Sequence, residues 1–104
     1  MSLRDISSNG GISFQKEALK VKIMEKRVAL ISIIIENPEA ADQINRILHD
    51  VSSFVVGRMG IPYREKNISI ISVVIDAPQD VINSVSGRLG RLQGVTAKTM
   101  YSKK

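Results

Sequence analysis

The sequence predicts an α+β fold in the order β-α-β-β-α-β. It pairs a four-stranded antiparallel sheet with two helices on one of its faces. Three observations carry this. First, a segment recurs: Ser32-Ile33-Ile34-Ile35-Glu36-Asn37-Pro38 matches Ser72-Val73-Val74-Ile75-Asp76-Ala77-Pro78 at an offset of 40 residues. Second, each copy runs from an apolar strand through an acidic residue to a proline, and then into apolar residues spaced for a helix. Third, a short β-rich segment follows each helical one, at roughly 53–60 and 95–101. Right-handed crossovers then put both helices on one sheet face and the first and third strands at its centre. This is the split βαβ, or ferredoxin-like, arrangement.

Residues 1–23 read as a polar N-terminal leader or arm, broken at Asn9-Gly10-Gly11. Residues 14–23 suit a short helix or an extended lead-in to the first strand. Met24 suits an alternative start, because the periodic part begins just after it. Residues 24–104 form one domain, since 104 residues are too few for two. The first strand spans 26–36. Asn37 then suits an N-cap and Pro38 the first helical position. Ala41, Ile44, Ile47, Leu48 and Val51 make one helical face over about 38–51. The second strand spans 53–60 and the third 67–76. From Pro78 a second helix carries Val81, Ile82, Val85, Leu89 and Leu92 on one face, with Gly94 suited to a left-handed C-terminal cap. Gly87 and Gly90 lie inside this helix, where each costs up to about 1 kcal/mol relative to Ala. They call for a close helix–helix or helix–sheet approach, or for a groove with a function. The fourth strand spans 95–101.

The two central strands are apolar on both faces. Ala29, Ile31, Ile33 and Ile35 of the first, with Ile71, Val73 and Ile75 of the third, suit the side that meets the helices. The opposite faces carry Val28, Leu30, Ser32 and Ile34, and Ile68, Ile70, Ser72 and Val74. A sheet face turned to water should alternate with polar residues. Burying six such side chains contributes about 1.5–3 kcal/mol each before entropy costs. An exposed patch of this kind marks an interface. The expectation is a homo-oligomer packed through this face, a dimer or a dimer of dimers. Cover by residues 1–23 is the competing account.

Composition excludes several functions. There is no Cys, no Trp and one His, His49. Disulfide scaffolds, cysteine nucleophiles and thiolate-held metals need sulfur ligands. No cofactor and no metal site are expected. His49, near the end of the first helix, reads as a helix C-terminal histidine. The net charge of +5 divides into +2 on residues 1–23, four basic against two acidic, and +3 on the rest, 11 against 8. That field is weak, and no basic run of five occurs. The central strands lack Phe, Tyr and Trp, so they lack the stacking platform of an RNA-binding sheet. Direct nucleic-acid binding is not expected. The longest apolar run, Val28 to Ile35, falls far short of a membrane span of roughly 20 residues. A cytoplasmic location follows as the default.

Two glycine-containing segments carry most of the arginines of interest. Gly57-Arg58-Met59-Gly60-Ile61-Pro62-Tyr63-Arg64 reads as a strand end and tight connection. Arg58 and Arg64 there suit a carboxylate or other anion. Ser86-Gly87-Arg88-Leu89-Gly90-Arg91 reads as a helix face with a backbone-accessible groove beside Arg88. It is not a phosphate loop, because no Gly-Lys-Ser/Thr is present. The candidate ligand site is therefore Arg58, Gly60, Arg64, Gly87, Arg88 and Gly90. No nucleophile–base pair or paired-carboxylate constellation stands out, which argues against an enzyme.

Met24-Glu25-Lys26-Arg27, Arg58 through Glu65, and Ser86-Gly87-Arg88-Leu89-Gly90 followed by Gly94-Val95 and Lys98 occur in that order. On these motifs residues 24–104 resemble a family of small ACT-like proteins known as iron-only hydrogenase system regulators. The resemblance implies a ferredoxin-like fold related to ACT domains and to the C-terminal domain of nickel-responsive repressors. It also implies a regulatory role. Two features depart from those relatives. The loop Glu36-Asn37-Pro38-Glu39 lacks the glycine of amino-acid-binding ACT domains. One His and no Cys fall short of the nickel ligand set. The expectation is a non-enzymatic regulatory module that oligomerises through its sheet and takes a small-molecule effector. It would act through a regulatory protein partner, because no helix-turn-helix is evident. The alternatives are an adaptor oligomer without ligand and, behind it, a small dimeric ferredoxin-like enzyme.

Overall fold

Chains rich in Ile and Val favour the pleated, half-buried surface of a sheet, and the longest such runs here become the sheet centre. The structure, a computed structural model, describes residues 25–104. The leader expected over 1–23 and the start suggested at Met24 lie outside the described residues. The elements are β1 (Lys26–Ile35), α1 (Ala41–Asp50), β2 (Val55–Tyr63), β3 (Ile68–Pro78), α2 (Gln79–Gly90) and β4 (Val95–Tyr101). The sheet is antiparallel in the order β2-β3-β1-β4, so β1 and β3 are central as expected. This is the ferredoxin-like βαββαβ fold.

Register follows the repeat. Ser32 lies opposite Ser72, Leu30 opposite Val74, and Ile34 opposite Ile70. The two copies thus face each other across the sheet centre. Ala29, Ile31, Ile33 and Ile35 of β1 and Val73, Ile75 and Ala77 of β3 are buried beneath the helices. From α1 come Ile44, Ile47 and Leu48, and from α2 Ile82, Val85 and Leu89. The serine-free strand faces therefore do meet the helices, and a continuous aliphatic layer fills the space between.

Asn37 caps as expected: its Oδ1 accepts the Glu39 N–H at 3.2 Å. It caps a 3₁₀ turn, Pro38–Ala40, which leads into α1. Three readings are corrected. β2 runs three residues past Gly60 to Tyr63, so Gly57-Arg58-Met59-Gly60 lies within a strand and not at a connection. Pro62 is tolerated because β2 is an edge strand. The turn itself is Arg64–Lys66 closed by Asn67, whose φ of 55° is left-handed. α2 stops at Gly90, and its C-cap Arg91 is right-handed, so Gly94 is not that helix's cap. Gly94 does take a left-handed φ of 76°, in the turn before β4. Finally, Gly87 and Gly90 are exposed. A Cβ on Gly87 would meet only Arg91 Nη1 at 3.9 Å, and one on Gly90 nothing within 4 Å. Close packing does not explain them.

Candidate functional site

Strand alternation puts a largely apolar surface on the sheet face away from the helices, with Asp76 and Lys98 as its charged residues, opposite Val28 and Ser32. β1 gives Val28, Leu30 and Ile34, and β3 gives Ile68, Ile70 and Val74, with Ser32 and Ser72 between them. β2 adds Met59, Ile61 and Tyr63, which pair with Ser72, Ile70 and Ile68. β4 adds Met100 beside Leu30. Val28, Ile34, Met59, Ile61, Tyr63 and Met100 are all exposed, and no described element lies over them. The sequence pointed to the contribution of β1 and β3. It missed that of β2, whose signal was the alternation Met59, Ile61, Tyr63, hidden by the earlier strand end assigned to it.

This face is not flat. Across one row of paired residues run Gly57, Val74, Leu30 and Met100. A β-bulge at Val56, between Val55 and Gly57, shifts the β2 register and turns Gly57 to the open side. Around it Leu30, Met59, Ser72 and Val74 line an open depression of about 390 Å³.

The candidate ligand residues separate into distinct places. Arg58 lies on the helix side of β2, and its Nη2 donates to Asn45 Oδ1 of α1 at 3.1 Å. Gly60 lies on the same side, opposite Ile71. Arg64 opens the turn after β2 and lines a cleft of about 230 Å³. Ile35, Ala41, Pro62 and Ile68 give this cleft an apolar wall, and Asn67 and Ser69 give it polar groups. Arg88 of α2 reaches the other helix, with Nη2 3.1 Å from Asp50 Oδ2. Arg58 and Arg88 thus brace α1 from the sheet and from α2. Among the described residues, no hydrogen bond joins the Arg58–Arg64 group to Gly87, Arg88 or Gly90.

A polar network under the start of α2 gave no sequence signal. Arg27 stacks 4.4 Å above the Tyr101 ring and donates to Gln79 Oε1 at 2.8 Å. Gln79 Nε2 donates to Tyr101 Oη at 2.7 Å and to Asn83 Oδ1 at 3.0 Å. Ser86 Oγ and Thr99 Oγ1 lie 2.7 Å apart. These contacts tie α2 to β1 and β4, so they read as fastening. His49 is exposed in the last turn of α1. Among the described residues, no three His, Asp or Glu side chains gather into a group able to hold a metal. No helix among them is long and apolar enough to cross a membrane.

The profile of the TM1266-like family, described as "Iron-only hydrogenase system regulator, putative", matches residues 27–99. Among solved structures, the chain is similar to the uncharacterized protein TM1266 from Thermotoga maritima. The two are 38% identical over 76% of this chain and 100% of that one, with a TM-score of 0.73. It is also similar to an unknown protein from Galdieria sulphuraria, at 13% identity over 77% of this chain and 47% of that one, TM-score 0.56. A formyltetrahydrofolate deformylase from Pseudomonas putida is similar at 13% identity over 70% of this chain and 28% of that one, TM-score 0.54. At that identity the last two likenesses show the fold alone. No curated protein matches the chain.

Proposed function

The chain belongs to the TM1266-like family of iron-only hydrogenase system regulators, and from that premise we propose a non-enzymatic regulatory module that self-associates through its open sheet face. The observation that carries this reading is that face: six exposed large apolar side chains on β1, β2 and β4, with half-buried Ile68, Ile70 and Val74 of β3 among them and nothing described above them. An apolar area of that extent on a small domain is the mark of a protein–protein contact. A second copy supplies a matching surface at no cost in sequence, since a two-fold contact uses the same patch twice. The assembly is a dimer or a dimer of dimers, and its location is the cytoplasm.

The input is a small anionic effector. The cleft beside Arg64 supports this best, because it combines an apolar wall, a guanidinium and two short polar side chains. Arg58, held by Asn45, lies in β2, the strand that leads into the turn carrying Arg64. The output passes through a partner protein, a reading supported by both described helices packing on the sheet with no separate helical DNA-binding unit among the described residues. The aliphatic filling between helices and sheet supports a role without catalysis. An adaptor that takes no ligand is the second reading. It is favoured by Arg58 and Arg88, whose guanidinium groups already have partners.

Ile34→Asp tests the assembly. Ile34 is 41% exposed in the single chain, so the change leaves the fold intact. In a face-to-face pair it would bury an unpaired carboxylate among aliphatic side chains, a cost of several kcal/mol. The expected result by light scattering is a multimeric wild type and a folded monomeric variant. A monomeric wild type at micromolar concentration would overturn the reading.

A further inference from the structure

Gly57 has no account within its own chain. Glycine weakens a strand, and in strands it marks a bend or a place where something else approaches closely. The bulge at Val56 supplies the bend without it. Gly57 does not take a positive φ, and a Cβ added to it would meet nothing within 4 Å. It lines the depression of about 390 Å³ on the open face, and its missing side chain adds to that space. At the far end of the same row stands Met100, 69% exposed, a long unbranched side chain projecting from the edge strand β4. The Gly57 end of the row offers a hole; at the other end Met100 projects as a knob and walls a second depression of about 300 Å³ with Val28, Leu30 and Val74.

We propose that the occupant of the Gly57 depression is Met100 of a second copy of this chain. This rests on the self-association reading above and adds to it the orientation of the pair. In a two-fold contact, if one copy's knob enters the partner's hole, the partner's knob must enter the first copy's hole. Gly57 and Met100 lie at opposite ends of a row that crosses β2, β3, β1 and β4. Only a two-fold axis parallel to the strands, passing between β1 and β3, reverses that row and satisfies both contacts together. An axis in the sheet plane but perpendicular to the strands would set β4 over β4, with Met100 against Met100. The strand-parallel axis stacks the sheets with their strands nearly aligned, the ordinary geometry of face-to-face sheets. It sets Leu30 of one copy over Val74 of the other, so the row is apolar along its length. Methionine suits the role because its flexible thioether fills irregular gaps.

The chain has no cysteine, so introduced thiols are unambiguous. In the full-length chain, the double variant Gly57→Cys/Met100→Cys treated with a short bis-maleimide should give a covalent dimer on a denaturing gel. Met100→Cys alone should give none. Gly57→Leu, whose Cβ meets nothing within 4 Å in its own chain and whose side chain fills the hole, should weaken dimerisation at least tenfold, read by sedimentation. A dimer in which Met100→Cys alone cross-links, or in which the double variant does not, overturns this orientation and leaves self-association standing. A monomeric wild type overturns both. The cross-link does not depend on how Gly57→Leu folds.

Discussion

A Cβ placed on Gly94 would lie 2.5 Å from the Cβ of Asn37 and 3.1 Å from its backbone nitrogen. The same glycine has φ of 76° and accepts the Glu36 N–H at 2.7 Å. It therefore closes the turn before β4 onto the loop that leaves β1, at the point where that loop caps α1. Both the backbone angle and the contact exclude a side chain. Gly94→Ala should lower stability by about 2 kcal/mol or more, combining left-handed strain with displacement of the capping loop. Urea denaturation reads this as a lower midpoint at an unchanged slope. An unchanged midpoint would mean that the loop yields freely. The sequence marked Gly94 as left-handed but assigned it to a helix cap. The contact with Asn37 joins residues far apart in the chain, and no local pattern announces it.

At the scale of elements, the two helices differ in how completely their sequence explains them. In α1 the apolar face, Ile44, Ile47 and Leu48, is the one its spacing predicted. In α2, Ile82, Val85 and Leu89 are likewise buried, while Gly87 sits on the outer surface with helical backbone angles and open space around it. An alanine there gains helix propensity and meets only the flexible end of Arg91. Gly87→Ala should raise stability by about 0.5–1 kcal/mol, measured by urea or thermal denaturation. A loss of stability would show that the glycine is needed for folding after all. The strands were legible because β1 and β3 are apolar throughout and the repeat fixed their order. The end of β2 was not, since Gly60 and Pro62 are breakers by composition. They become tolerable only because β2 lies at an edge.

The cleft beside Arg64 exists only in the whole molecule. Ile35 ends β1, Ala41 begins α1, and Pro62 through Ser69 form the β2–β3 hairpin. Three separate segments must meet before the guanidinium has a wall opposite it. Sequence could therefore single out Arg64 while giving no view of its neighbours, and it grouped Arg64 with Arg88, which the fold carries to α1 instead. If the cleft receives a small carboxylate or phosphate, such a ligand should raise the melting temperature of the wild type. The rise should be at least 2 °C at saturation and should vanish in Arg64→Ala, because binding to the folded state alone stabilises it. No shift across a panel of carboxylates, phosphates and nucleotides would favour the ligand-free adaptor.

The pairing of Ser32 with Ser72 has a consequence in terms of symmetry. Those residues are also equivalent in the repeat, so an approximate internal dyad passes between them, normal to the sheet. Were the two halves of the chain identical, dimers built on the two in-plane axes, along and across the strands, would be the same object. Two docked states would then be degenerate. Gly57 and Met100 break that equivalence, because their counterparts across the internal dyad, Thr96 and Ile61, are neither hole nor long thioether. The departure of one half of the domain from the other is thus what gives an otherwise ambiguous surface a single way to pair.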